Sequence, residues 1–143
     1  LLLFAERARA RCLLVRPAGE ASAAWTRWRI GSAPSVAEAR EHLLRLRGRT
    51  HELLTAAVVA REGAIIWRHV DTPKLKMRAF SDAFLDDYLA RAGDATLHSV
   101  GAYQLEGLGA QLFERVEGDY FSVLGLPLLP LLAFLREHGI AQP

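Results

Sequence analysis

The chain has 143 residues, of which 51% are hydrophobic and 24% charged, and it carries a net charge of +2. This size and composition predict one globular domain with an ordinary core rather than two. No apolar run reaches the roughly 18 residues that a transmembrane helix needs, and the leading apolar run ends at Glu6 and Arg7. We therefore expect neither a membrane span nor a secretory signal.

Cysteine content and charge distribution limit the possible location and binding partners of the protein. Cys12 is the only cysteine, which excludes an intrachain disulfide and a thiolate metal cluster and favours a cytoplasmic location. Residues 1–49 hold ten Arg, no Lys and four Glu, whereas acids outnumber bases in the remainder. A basic N-terminal part could favour a polyanion, but these arginines lack interleaved aromatic residues. A solvated helix face explains them better, and nucleic acid is not an expected partner.

The first third of the chain predicts two different kinds of structure. Residues 1–15, rich in Ala, Leu and Arg, predict a helix. Residues 16–34 contain two prolines and two glycines and match no regular element. Ser35 and Glu38 have the spacing of a capping box, so a helix is expected from residue 36 to about residue 47. The sequence also begins without Met, from which we expect a fragment or a trimmed chain.

The middle of the chain predicts a long hairpin followed by a helix. Residues 50–61 are apolar and β-branched enough for a buried strand, and Glu62-Gly63 forms the expected turn. Residues 64–80 then return as one long antiparallel partner. Ser81 is the expected N-cap of a second helix that extends through Ala90.

A glycine-rich stretch near the C-terminal end, Gly101-Ala-Tyr-Gln-Leu-Glu-Gly-Leu-Gly109, is the most informative feature of the chain. Each glycine costs roughly 0.5–1 kcal/mol inside a helix or strand, so three of them in nine residues indicate a loop. Tyr103, Gln104 and Glu106 lie within it, and their side chains can stack on a heterocyclic base or hydrogen-bond to it. The stretch is a candidate nucleotide site.

Beyond the loop, residues 112–116 predict a strand, Glu117-Gly118 a turn, and residues 126–138 a last helix that opens with Pro127. The leucines of that helix form a stripe that predicts a core or homodimer contact. The alternation of helices and strands along the whole chain predicts the α/β class.

Several separate motifs resemble one known family. They are Leu46-Arg-Gly-Arg-Thr-His-Glu-Leu-Leu-Thr55, the glycine loop, Phe113-Glu-Arg-Val-Glu-Gly-Asp119 and Val123-Leu-Gly-Leu-Pro-Leu128. In this order and spacing they resemble the Maf family of nucleoside triphosphate pyrophosphatases over residues 36–140. The resemblance implies a Maf/ITPase-like fold, in which helices flank a mixed twisted sheet with a cleft for the nucleotide. It also implies a nucleoside triphosphate as substrate and a divalent metal cation, Mg or Mn, as cofactor.

The family's phosphate-handling motifs are the part that this chain lacks. The Ser-x-Ser-Pro-Arg-Arg turn of the family is absent, and Arg7 stands where its helix Lys would be, so the resemblance makes Arg7 a substrate-binding candidate. The first Asp is Asp71 and the first Lys is Lys74, so the family's Ala-Asp-Thr and Gly-Lys-Pro motifs have no counterpart. We hypothesise that residues 16–34 are a frameshifted or otherwise corrupted replacement of that segment. No catalytic or metal-binding residue is assigned.

Glu106 stands where many members of the family have Gln. A carboxylate only accepts hydrogen bonds, so it could meet the N1–H and N2–H₂ donors of guanine. The resemblance then points to modified purines such as 7-methylguanosine triphosphate. A solvated loop acid is the equally weighted alternative.

Other polar residues have simpler interpretations. Arg49 and His51 flank a predicted strand start and could touch phosphate, but a structural role is favoured. Asp119 could bind a metal, but Gly118-Asp119 is first of all a turn signal. The five His residues have no metal-ligand spacing.

Two functions remain open from the sequence. One is a Maf-like pyrophosphatase that hydrolyses a noncanonical or modified nucleoside triphosphate to the monophosphate and pyrophosphate. The other is a catalytically inactive remnant that binds nucleotide or has only a structural role. The family motifs favour the first, and the missing Asp and Lys favour the second.

Overall fold

The computed structural model describes residues 2–4, 12–16, 26–29, 33–62 and 64–142, and for the first three ranges it describes the backbone. The strands are Leu2–Phe4 (β1), Cys12–Arg16 (β2), Thr26–Arg29 (β3), Thr50–Leu53 (β4), Thr55–Arg61 (β5), Ala64–Asp71 (β6), Lys74–Met77 (β7) and Phe113–Glu117 (β8). The α-helices are Val36–Leu46 (α1), Asp82–Ala92 (α2), Tyr120–Leu124 (α3) and Leu128–Glu137 (α4). Short 3₁₀ helices span Gly93–Thr96 and Leu108–Leu112.

The strands form two sheets. One has the order β1-β5-β6 and the other the order β3-β2-β4-β7-β8. Every pair in these sheets is antiparallel. With helices packed against the sheets, the architecture confirms the α/β class expected from the sequence.

The long hairpin predicted over residues 50–80 is divided between the two sheets. Its first strand breaks at Leu54 and its second at Thr72-Pro73, so β4 and β7 belong to the five-stranded sheet, while β5 and β6 belong to the other. Proline lacks an N–H and cannot extend a ladder, which ends the returning strand at this point. The carbonyl of Pro73 instead accepts from the N–H of Leu53 (3.0 Å).

The prediction for the N-terminal third was wrong where the structure describes it. The predicted helix over residues 1–15 is replaced at residues 2–4 and 12–16 by β1 and β2. Residues 26–29, expected to be irregular, form β3, which pairs with β2 inside the five-stranded sheet. Pairing of β2 with β4 overrides the helical preference of its leucines, because a short apolar run suits either element.

The predicted helix starts of α1 and α2 are confirmed. The hydroxyl of Ser35 accepts from the N–H of Glu38 (3.3 Å), and that of Ser81 accepts from the N–H of Phe84 (3.2 Å). The two helices are joined by an ion pair between Arg40 and Asp86 (3.0 Å).

The main core lies between these helices and the five-stranded sheet. Leu53, Leu75 and Met77 of the sheet are fully buried in one cluster with residues of both helices, Leu43, Leu46, Leu85 and Leu89 among them. A second, smaller cluster joins β5 to α4 through Val59, Leu131 and Phe134. Within the described residues, none of the helices is long and apolar enough to cross a bilayer.

Toward the C-terminal end, β8 and α4 lie one or two residues from their predicted bounds. Helix α3 was not predicted. Asp119 caps this short helix, since its carboxylate accepts from the backbone N–H (2.8 Å) and the hydroxyl (3.0 Å) of Ser122. Asp119 therefore has a structural role as a helix N-cap, where the sequence indicated a turn.

Candidate functional site

The glycine loop, residues 101–109, begins with a left-handed backbone, a conformation that glycine adopts without strain. Gly101 has a φ of +79° and is followed by Ala102 at +60°, so two consecutive residues lie in the left-handed region. A Cβ on Gly101 would also lie 2.7 Å from Cε1 of Tyr103. The ring of Tyr103 therefore folds directly over Gly101.

At the other end, the glycine loop closes on itself. A Cβ on Gly109 would lie 2.5 Å from the carbonyl oxygen of Gln104 and 2.6 Å from its backbone nitrogen. The N–H of Gly107 also donates to that carbonyl oxygen (3.1 Å). These contacts fix the backbone of Gln104 against the start of the second 3₁₀ helix.

Two buried side chains anchor the loop to the fold. The hydroxyl of Tyr103 forms a 2.8 Å hydrogen bond with Nε2 of His51 on β4. The Tyr103 ring stands edge-on to Phe113, with ring centroids 4.8 Å apart. The hydroxyl of Tyr88 on α2 donates to the carbonyl of Ala102 (3.1 Å). The glycine loop is thus fixed to both the sheet and a helix.

Burial sets the charge state of these anchors. His51 is 0% exposed, and burial lowers its pKa from 6.5 to about 4, so the ring is neutral near pH 7. Burial also raises the pKa of Tyr88 to about 12. Among the described residues, Nδ1 of His51 has no hydrogen-bond partner. The burial of His51 and its hydrogen bond to Tyr103 support the structural interpretation of this residue.

The four substrate-binding candidates have very different surroundings. Tyr103 is only 6% exposed, so its ring would have to leave the core to stack on a base. Glu106 is exposed at the tip of the loop, and Gln104 is half-buried beside a cavity. Arg7 lies outside the described residues. Gln104 and Glu106 are therefore at least partly accessible from solvent, whereas Tyr103 is buried and anchors the loop.

A cavity of about 150 Å³ lies between α2, the first 3₁₀ helix and the glycine loop. It is lined by Tyr88, Arg91, Ala92, Ala95, Thr96, Gln104, Leu108 and Gly109. Sequence reasoning included Gln104, Leu108 and Gly109 in the candidate stretch but missed the residues of α2 and the first 3₁₀ helix. The spacing of Tyr88, Arg91 and Ala92 could have placed them on one helix face, but the sequence does not show which loop covers that face.

The described residues contain no group of three or more His, Cys, Asp or Glu side chains that could hold a metal ion. They therefore do not fit the divalent cation that the resemblance implies. Two lysines of β7 already have partners. The ammonium group of Lys76 donates to the carbonyl of Gly48 (2.9 Å), and that of Lys74 lies 3.4 Å from the carboxylate of Glu52.

Comparison with known proteins identifies the family. The family model described as "Maf-like protein" matches residues 22–138, most of the chain and more than the region from residue 36 expected from the motifs. The chain belongs to the Maf family. It is 63% identical over 106 residues to the nucleoside triphosphate pyrophosphatase of Rhodospirillum rubrum, covering 74% of this chain and 52% of that protein. It is 57% identical over 104 residues to the 7-methyl-GTP pyrophosphatase of Rhizobium meliloti, covering 73% and 52%.

This Maf chain spans about half the length of these relatives. Its described structure contains the glycine loop with two buried anchors, an exposed Glu106 and a cavity beside Gln104. These features suit recognition of a small ligand. They do not include a described set of residues for phosphate transfer.

Proposed function

We propose that this chain acts as a Maf-type nucleoside triphosphate pyrophosphatase. It would hydrolyse a noncanonical or modified nucleoside triphosphate to the monophosphate and pyrophosphate. The observation that carries this proposal is the glycine loop, which the His51–Tyr103 bond holds in one shape while Glu106 faces solvent. A fixed backbone under an exposed polar side chain suits recognition of a planar base, because little conformational entropy is lost when the ligand binds.

Glu106 is the proposed base reader. Its carboxylate can accept from both the N1–H and the N2–H₂ of a guanine ring, and methylation at N7 leaves that edge unchanged. The Rhizobium meliloti relative is named a 7-methyl-GTP pyrophosphatase, which supports 7-methylguanosine triphosphate as a substrate to test.

The cofactor and setting are further parts of the proposal. A divalent cation, Mg or Mn, would assist phosphate transfer, with ligands outside the described residues, since those residues hold no suitable group. We also propose a cytoplasmic location, consistent with a single cysteine, and a homodimer. Nucleic acid is not a proposed partner.

A second candidate is a noncatalytic nucleotide-binding fragment. It is favoured by the absence of any Asp before Asp71 and of any Lys before Lys74. The half-length match to the relatives also supports this candidate.

Pyrophosphate release from the purified chain tests the proposal. The chain is incubated with Mg or Mn and with 7-methylguanosine, guanosine or uridine triphosphate, and a full-length relative is the positive control. We expect hydrolysis several powers of ten slower than the control, because missing catalytic groups have effects of this size. Nucleotide binding without hydrolysis would support the second candidate. If the chain shows no nucleotide binding and no hydrolysis, both candidate functions are contradicted.

A further inference from the structure

Ala102 has a backbone conformation that its side chain disfavours. Among the described residues, Glu62 and Ala102 are the two that combine a side chain with a positive φ, and that of Ala102 is +60°. In this left-handed region the Cβ of an L-residue comes too close to a carbonyl oxygen. Such a conformation persists only where the surrounding structure holds it, and it is found most often at functional sites. Contacts around Ala102 must therefore stabilise it.

Both backbone polar groups of Ala102 have partners. Its N–H donates to the carbonyl of Ser99 (3.2 Å), which closes a turn around Gly101. Its carbonyl accepts from the hydroxyl of Tyr88 (3.1 Å). Ala102 is 0% exposed, so a rotation of its backbone would leave the carbonyl buried without this partner. Because an unpaired buried carbonyl is costly, the Tyr88 hydroxyl favours the left-handed conformation.

Helix α2 gives this hydroxyl a fixed position. Leu85, Tyr88 and Leu89 form its buried stripe, and all three belong to the main core. The ion pair between Arg40 and Asp86 also joins α2 to α1. Burial raises the pKa of Tyr88 to about 12, so the hydroxyl stays a donor near pH 7. Tyr88 is therefore a rigid donor outside the glycine loop.

The backbone of Ala102 sets the direction of the chain that carries Glu106. Gln104, two positions further on, begins the next turn, in which its carbonyl accepts from the N–H of Gly107 (3.1 Å). Glu106 is the third residue of this turn. Within the described residues, no hydrogen bond or ion pair holds its exposed carboxylate. The position of Glu106 thus depends on the backbone that precedes it.

We propose that Tyr88 is a positioning residue for base recognition by the glycine loop. Its hydroxyl holds Ala102 in the left-handed conformation, and this conformation places Glu106 for contact with the base. Tyr88 acts through Ala102 and Glu106, because its hydroxyl is already bonded to the loop backbone. The inference rests on the proposed function, and it adds a determinant of specificity that lies outside the loop.

Hydrogen exchange of the free, ¹⁵N-labelled chain tests the hold on the loop. Tyr88→Phe should raise the exchange rates of the Ala102 and Gly107 N–H groups about tenfold relative to that of Leu43 in α1. A general loss of stability would raise all three together. Tyr120→Phe is the matched control, since Tyr120 is 46% exposed and lies outside the loop. Unchanged loop exchange in Tyr88→Phe would overturn the proposal.

A substitution at Ala102 tests the reason for this hold. Glycine adopts a positive φ without steric cost, so Ala102→Gly keeps the turn without the strain. Tyr88→Phe should therefore raise exchange of the Gly107 N–H less in the Ala102→Gly background than in the wild-type chain. An equal rise in both backgrounds would show that the hydroxyl does not offset strain at Ala102.

Nucleotide binding tests the effect on specificity. Calorimetry gives the ratio of the affinities for guanosine and uridine triphosphate in the wild-type chain, Tyr88→Phe, Glu106→Gln and the double variant. Tyr88→Phe should lower this ratio about tenfold, and adding Glu106→Gln should then change it little. A purely structural role would weaken both affinities equally and leave the ratio unchanged, and independent effects of the two substitutions would also overturn the proposal.

The two arms separate this inference from the proposed function. If the wild-type chain binds no nucleotide, base recognition by Glu106 is contradicted, whereas a local rise in exchange in Tyr88→Phe would still support the hold on the loop. If nucleotide binds with a ratio that Tyr88→Phe does not alter, the proposed function stands and the positioning role of Tyr88 is overturned.

Discussion

Removing one hydroxyl should measure how firmly the glycine loop is fixed. In Tyr103→Phe the ring keeps its edge-on contact with Phe113, but Nε2 of His51 loses its 2.8 Å hydrogen bond. Because His51 is 0% exposed and Nδ1 already has no partner among the described residues, the imidazole would then lack its described partner. An unpaired buried polar group costs about 1–3 kcal/mol in the free energy of unfolding.

Urea denaturation at pH 7 gives this free energy, and thermal melting should show a decrease of about 3 °C in Tm per kcal/mol for a chain of this size. Tyr120→Phe is the matched control, because Tyr120 is 46% exposed and the same atom is removed there. The control should change stability by less than about 0.5 kcal/mol. Equal stability of the two variants would refute the anchoring role of the bond.

A double-mutant cycle sharpens the result. His51→Leu combined with Tyr103→Phe replaces both partners by apolar groups, so no polar atom is left unpaired. The double variant should be less destabilised than the sum of the single variants by about 1 kcal/mol or more. Strict additivity would show that the two side chains act independently.

The remaining predictions concern pH, the closure of the loop and base preference. Burial lowers the pKa of His51 from 6.5 to about 4. As the pH falls, the imidazole is therefore protonated in the unfolded chain before it is protonated in the folded chain. The free energy of unfolding should thus decrease by about 3 kcal/mol between pH 6.5 and pH 4. Urea denaturation across this range checks it, and His51→Leu should show a weaker dependence; an unchanged profile would contradict it. Gly109→Ala should destabilise the chain by about 1–3 kcal/mol, because the added Cβ would lie 2.5 Å from the backbone of Gln104. Gly107→Ala is the control, since a Cβ there would lie 3.9 Å from its nearest neighbour, the carbonyl oxygen of Gln104. If calorimetry detects nucleotide binding, Glu106→Gln should shift preference from a guanine toward a pyrimidine triphosphate, whereas identical affinity ratios would make Glu106 a solvated loop acid.

Local signals in the sequence predicted the helix starts and the glycine loop. Ser35 and Ser81 form their caps with residues three positions away, so a short window contains all the information needed. Gly101 likewise indicates a left-handed backbone, because glycine adopts positive φ values without steric cost. The base-recognition role of Glu106 stays a prediction.

Long-range pairing is what the sequence could not supply. The helical preference predicted for residues 12–15 gives way to strand pairing with β4, nearly forty residues further along. The division of the hairpin between two sheets depends on Pro73 meeting Leu53 across the structure. Tyr103 was expected to contact the ligand because its ring can stack on a base; its anchoring role was not foreseen, since its partner His51 lies 52 positions away in the sequence. Single-residue signals do not encode such distant contacts.

The double anchoring of the glycine loop has a consequence for protein engineering. The groups that hold its shape are the hydroxyls of Tyr103 and Tyr88, the ring of His51 and the backbone around Gly109. None of them belongs to the side chains of Gln104 or Glu106. A library that randomises only these two positions would therefore change the side chains of the loop while its backbone framework stays constant, and most of its members should fold.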